Sequence, residues 1–237
     1  ERAVELLRRE GEIGEELRAL LGLETGRVLF GASTIPGTYM LPEVMARLRR
    51  VQPGISISLR IASSAQVLAW VESGEIEGGI VGVRSEDHRA LYVRPLWRDE
   101  LAVVVPAGHR WSRRRTLRPA ELAEEPFIMR EAGSGTRRVI ESALGRVRGL
   151  LDKIQVVAEL GGAGAVKEGV RAGLGISILS GRAVEEDVQA GRLATVTITG
   201  IPIERRFHLV SFPGRAHSPA GKRFLGFLQK EGGSGLG

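Results

Sequence analysis

Apolar positions along this chain change period several times, and each change marks an element. Residues 1–21 place Leu6, Ile13, Leu17 and Leu20 at i, i+7, i+11 and i+14, a helical seam weakened by Gly11 and Gly14. A seam this short has little to bury against by itself, so it predicts self-association with a dimer as the minimal unit. From Arg27 onward, strand-like and helix-like stretches alternate. Strands are predicted over 27–32, 55–61, 79–83, 92–96 and 101–106, with helices over 39–51 and 65–73 and a closing glycine at Gly74. A second set follows: strands 127–129, 154–160, 176–179 and 193–198 alternate with helices 134–151, 165–172 and 183–190. A strand over 207–212, a helix over 222–229 and a glycine-rich, disordered tail over 231–237 complete the pattern.

Alternating strands and helices imply α/β lobes with parallel sheets and ligand crevices at the carboxyl ends of strands. If 101–106 and 203–212 cross between lobes, lobe I comprises 26–103 plus 208–231, and lobe II comprises 104–207. Each set carries a small-residue loop between a strand and a helix. The first is Gly31-Ala32-Ser33-Thr34-Ile35-Pro36-Gly37-Thr38. The second is Arg130-Glu131-Ala132-Gly133-Ser134-Gly135-Thr136-Arg137. Unpaired N–H groups and the helix dipole favour an anion at such a turn, and hydroxyls or a guanidinium add donors. Ser33, Thr34 and Ser134 can instead cap the helices they precede, and Arg130 can simply pair with Glu131. A third turn, Gly162-Ala163-Gly164-Ala165-Val166-Lys167, lacks the last glycine of a dinucleotide fingerprint and reads as another anion-facing turn.

Composition narrows the function classes. The 237 residues include no cysteine, which removes disulfides and thiolate metal sites and fits a reducing cytoplasm. An aromatic share of 5% argues against a stacking platform for single strands of nucleic acid. The net charge of +6 raises nucleic acid as a partner, yet it comes mainly from dispersed arginines. The densest run, Arg110 to Arg115, reads as a solvated loop. No apolar run has membrane-spanning length, and residues 1–23 do not read as a secretory signal. The four histidines are scattered without ligand spacing, and no base is placed by sequence to activate Ser33 or Ser134, so neither a metal centre nor an enzyme is expected.

Four stretches together resemble the effector-binding domain of LysR-type transcriptional regulators. They are Gly31 to Pro42, Gly74 to Val81 (similar to the family's Gly-Glu-Leu-Asp-x-Ala-Ile-Val), Arg130 to Arg137, and Val170 to Ser177. Glu77 stands where the family usually has Asp, and Gly79 where it usually has Ala. The resemblance implies a two-lobed, periplasmic-binding-protein-like (type II) α/β domain preceded by a linker helix over 1–25. It further implies a cytoplasmic homodimer or homotetramer that senses a small anionic metabolite, an oxyanion or carboxylate, between the lobes. DNA would be read only through an N-terminal winged helix-turn-helix outside these residues. No cofactor is implied. The effector residues implied are Ser33, Thr34, Ile35, Ser63, Ser64, Gly82, Arg130, Ser134, Gly135, Thr136 and Gly162. A free-standing solute-binding protein of an anion transporter, with the same fold, is the alternative.

Overall fold

The computed structural model describes residues 25–82 and 90–233. The expected seam helix over 1–21, the end of the third strand at Val83 and the last four residues of the tail lie outside them. Two compact units emerge. One takes the chain up to Ala62, Val67–Trp97 and the chain from His208; the other takes Ser63–Gln66 and Arg98–Phe207.

In the first unit, β1 (Gly26–Ser33) pairs in parallel with β2 (Ile55–Ala62) from Gly26 opposite Ile55 to Ser33 opposite Ala62. On its other side it pairs in parallel with β3 (Gly78–Val81). Helix α1 (Thr34–Tyr39) is six residues long and is followed at once by α2 (Leu41–Val51). Pro42 accounts for the break, because it has no N–H to offer and its ring collides with the carbonyl four residues back. Helix α2 buries Leu41, Val44 and Leu48, one face at helical spacing. Helix α3 (Ser64–Ser73) ends at Gly74, whose N–H donates to the Trp70 carbonyl. Val67, Leu68 and Val71 from α3 pack with Ile76, Val81, Leu91 and Val210. The small residue at Gly79 is required: a Cβ there would lie 2.6 Å from Val67 Cγ1. Glu77 also has a task, accepting from the Ser218 N–H at 2.9 Å at the start of the C-terminal helix α7 (Pro219–Gly233). Both departures from the family pattern are thus absorbed by local packing.

The predicted strands 92–96 and 101–106 are one fifteen-residue strand, β4 (Tyr92–Pro106), which leaves the first unit at Trp97 and enters the second at Arg98. In the second unit β5 (Thr116–Leu117) and β6 (Phe127–Arg130) follow. Next come α4 (Gly135–Leu144), β7 (Val156–Leu160), α5 (Ala163–Arg171), β8 (Ser177–Ser180), α6 (Gly181–Gln189) and β9 (Leu193–Ile198). The predicted helix 134–151 stops at Leu144, where Gly145 ends it and a positive φ of 69° at Gly149 prevents resumption. β10 (Ile203–Ser211) returns to the first unit at His208 and pairs antiparallel with β3.

Sheets are mixed rather than wholly parallel. β4 pairs antiparallel with both β8 and β9. The core of this unit is a single apolar cluster that includes Val103, Val105, Trp111, Phe127, Ile140 and Ile178. Two arginines of the arginine-rich run are paired with carboxylates. Arg110 donates to Glu124 and Glu125, and Arg114 grips Glu121 at 2.7 and 3.0 Å. Hydrogen bonds from Arg114, and then from the Arg118 N–H, hold the Glu121 carboxyl at about 2.

Candidate functional site

Most sequence-nominated residues sit where parallel strands end. In the first unit, β1 ends at Ser33 and leads into Thr34 and Ile35, β2 ends at Ala62 just before Ser63 and Ser64, which belong to the second unit, and β3 ends at Val81 before the buried Gly82. The register places Ser33 opposite Ala62, so the first two of these strand ends are side by side. In the second unit, β6 and β7 run parallel with Arg130 opposite Leu160, which brings Arg130–Thr136 beside Gly162.

The hydroxyls divide by role. Ser33 and Ser134 occupy N-cap positions, but neither side chain makes a capping hydrogen bond. Ser63 does cap, accepting from the Gln66 N–H at 3.2 Å. Ser64 Oγ is buried and has no hydrogen-bond partner among the described residues. The loop Gly133–Thr136 lies against this turn: a Cβ added at Gly133 would be 3.6 Å from the Ala65 methyl and 3.9 Å from Ser63 Oγ.

The charges of the second unit form a connected set. Arg130, only 2% exposed, donates from Nε and Nη2 to the two oxygens of Glu131 at 2.7 and 2.8 Å. Glu131 also accepts from the Gly162 N–H at 3.2 Å, tying the β6 loop to the β7 loop. Gly162 holds φ at +81°, a conformation that aims this N–H from the α5 N-terminus and that suits glycine. Burial pushes the Glu131 carboxyl up, but the hydrogen bonds and charge of Arg130 outweigh it and hold the group below its ordinary range. Arg137, the last residue of the Arg130–Arg137 stretch, is committed to Glu141, Glu159 and the Arg130 carbonyl.

Arg205, which the sequence pattern did not single out, completes the set. Its Nε donates to Asp99 Oδ2 at 2.8 Å and its Nη1 to Thr136 Oγ1 at 2.9 Å. Asp99 Oδ1 accepts from Ser180 Oγ at 2.6 Å. Burial lowers the Arg205 pKa, Asp99 opposes that, and the nearby charge of Arg130 adds to it. The signal was available in alternation: Arg205 shares the inward face of β10 with Ile203 and Phe207, and Asp99 shares that of β4 with Trp97 and Leu101. The expected strand 207–212 began too late to register it. Among the described residues no group of His, Asp and Glu is disposed to hold a metal, and no helix is long and apolar enough to cross a membrane.

Comparison with known proteins agrees with this geometry. The family model described as LysR substrate binding domain matches residues 21–233. The chain is 32% identical over 218 residues to the HTH-type transcriptional regulator CbbR of Sinorhizobium medicae, covering 92% of this chain and 68% of that protein. It is 36% identical over 207 residues to a protein of Anaeromyxobacter dehalogenans named phosphonates import ATP-binding protein PhnC, covering 87% of this chain and 41% of that one. Among solved structures, the Synechocystis CcmR regulatory domain in complex with 2-PG superposes with a TM-score of 0.77 at 27% identity. That match covers 87% of this chain and 97% of the other. The chain spans between 41% and 68% of the length of the curated relatives it matches.

Proposed function

The chain belongs to the LysR substrate binding domain family, and on that premise we propose that it is the metabolite-sensing part of a cytoplasmic DNA-binding regulator. The observation that carries the reading is the placement of Ser33, Ser63, Arg130 and Gly162 at or just beyond the carboxyl ends of parallel strands. Strand ends of this kind are where open α/β sheets take ligands. The ligand class is a small oxyanion or carboxylate. Helix α4 offers first-turn N–H groups and the positive end of its dipole, and Ser134 stands at its cap without using its hydroxyl there. Arg130, Thr136 and Ser64 belong to the same unit as that turn, and Thr34, Ile35 and Gly82 are the effector-contact candidates at the strand ends of the first unit. Regulation of transcription, oligomer formation and DNA reading through an N-terminal module are proposals that rest on relatives such as CbbR.

Calorimetry with 2-PG, the compound bound by the CcmR regulatory domain, tests this reading, with inorganic phosphate as the comparator. The wild-type chain should bind at least one of the two. A hydrogen bond to a charged acceptor contributes about 1.5–3 kcal/mol, so Thr34→Ala should weaken binding about tenfold or more. Unchanged affinity in Thr34→Ala, Ser134→Ala and Arg130→Ala alike would place the site elsewhere.

A further inference from the structure

Thr136 has one hydroxyl oxygen to accept with and one proton to give. Arg205 Nη1 donates to one of the two lone pairs of that oxygen at 2.9 Å, and a guanidinium has no acceptor to offer in return. The Thr136 proton must therefore point away from Arg205. Thr136 is only 3% exposed, and no acceptor for that proton is shown among the described residues. The donor directions behind it are equally determined. Asp99 accepts only; it takes Arg205 Nε on one oxygen and Ser180 Oγ on the other. Asp99 and Arg205 are 4% and 9% exposed, and the guanidinium lies 4.7 Å over the Phe207 ring, so the pair has little room to rotate. A buried ion pair of this kind is weak grounds for a stability role, since well-packed apolar residues of similar volume often replace one without loss.

We infer that Arg205, held by Asp99, is a positioning residue that turns the Thr136 hydroxyl proton away from itself at the N-terminus of α4 and so favours an acceptor group of an anion there. The inference rests on the proposed effector role of the Arg130–Thr136 loop. It predicts that the guanidinium fork matters as well as the positive charge. In Arg205→Lys, the ammonium can remain with Asp99 but cannot hold Thr136 in the same planar arrangement. Release of the Thr136 hydroxyl then costs affinity while the charge balance is kept.

The test is a double-mutant cycle read by calorimetry on the full 237-residue chain, with 2-PG and inorganic phosphate as probes and melting curves alongside. The paired change Asp99→Leu with Arg205→Met removes both charges at once. It should keep a cooperative melt and weaken binding tenfold or more. In a Thr136→Val background the same paired change should alter affinity less than threefold, because the hydroxyl it acts through is gone. Arg205→Lys is the second arm, with the same dependence on Thr136, should the paired change fail to fold. Wild-type affinity in the folded paired variant or in Arg205→Lys, or an equal loss with and without the Thr136 hydroxyl, overturns the positioning role alone. Failure of the wild-type chain to bind either probe overturns the effector reading and this inference with it.

Discussion

The loop after β1 and the loop after β6 look alike as letters, Ser-Thr-Ile-Pro-Gly in one and Gly-Ser-Gly-Thr in the other, yet they are built differently. The first leads into a six-residue helix with no acidic residue in its first turn and no basic residue in its last. Its support is apolar: a Cβ added at Gly37 would lie 2.8 Å from the Ile61 side chain. The second carries one acid–guanidinium pair, Arg130 with Glu131, and meets another, Arg205 with Asp99, through Thr136. A neutral loop contributes shape and single hydrogen bonds, while the charged loop contributes field and direction. Substitutions in the first loop should therefore change binding, and substitutions in the second should change binding and stability together.

The largest expected effect lies behind the charged loop. Asp99→Ala leaves the buried Arg205 without its counter-charge, and breaking one side of such a pair costs about 3–5 kcal/mol. Chemical denaturation should show that loss as a lower midpoint. Wild-type stability would mean that Arg205 is compensated by other groups and that the contrast between the loops is overstated. Arg130→Ala comes next. Glu131 is partly exposed and can rehydrate, so the stability loss should be nearer the 1.5–3 kcal/mol of a charged hydrogen bond. Thr34→Ala, by contrast, should lower affinity with a stability loss of no more than about 1.5 kcal/mol, the range of a neutral hydrogen bond.

The smallest effect is on pH. The Glu131 carboxyl lies below its usual value in the folded chain, so the unfolded chain binds more protons in the acid range. Its contribution is complete above the ordinary glutamate value of 4.5 and is lost as the pH falls through the lower folded value. Melting temperature should decline below about pH 4.5, and Glu131→Gln should decline less steeply there. Glu121, held at about 2, adds to the wild-type slope in the window from 4.5 to 2 and is unaffected by that substitution.

Much of this fold is legible as period. The parallel strands and amphipathic helices follow from apolar spacing, and the helix-closing Gly74 from its position after Ser73. Boundaries are less legible where backbone chemistry intervenes: the helix expected over 39–51 is α2, the six residues of α1 before it are too few to show a period, and Gly145 with Gly149 shortens another. The Arg130–Glu131 pair was visible as an alternative because its members are adjacent. Asp99 and Arg205 are 106 residues apart, and their pairing depends on how β4 and β10 are brought together, which local pattern does not encode. Single charged residues on the inward face of a strand are the available clue, and Arg205 is such a residue in a strand that begins at Ile203.

The most direct test of the central claim, that a small anion is taken at the N-terminus of α4, is a titration of the ¹⁵N-labelled chain with 2-PG followed by amide shifts. The account predicts the largest saturable shifts at the N–H groups of Gly135, Thr136 and Arg137, with Gly162 responding as Glu131 adjusts. Saturable shifts that leave those four amides unmoved would contradict it.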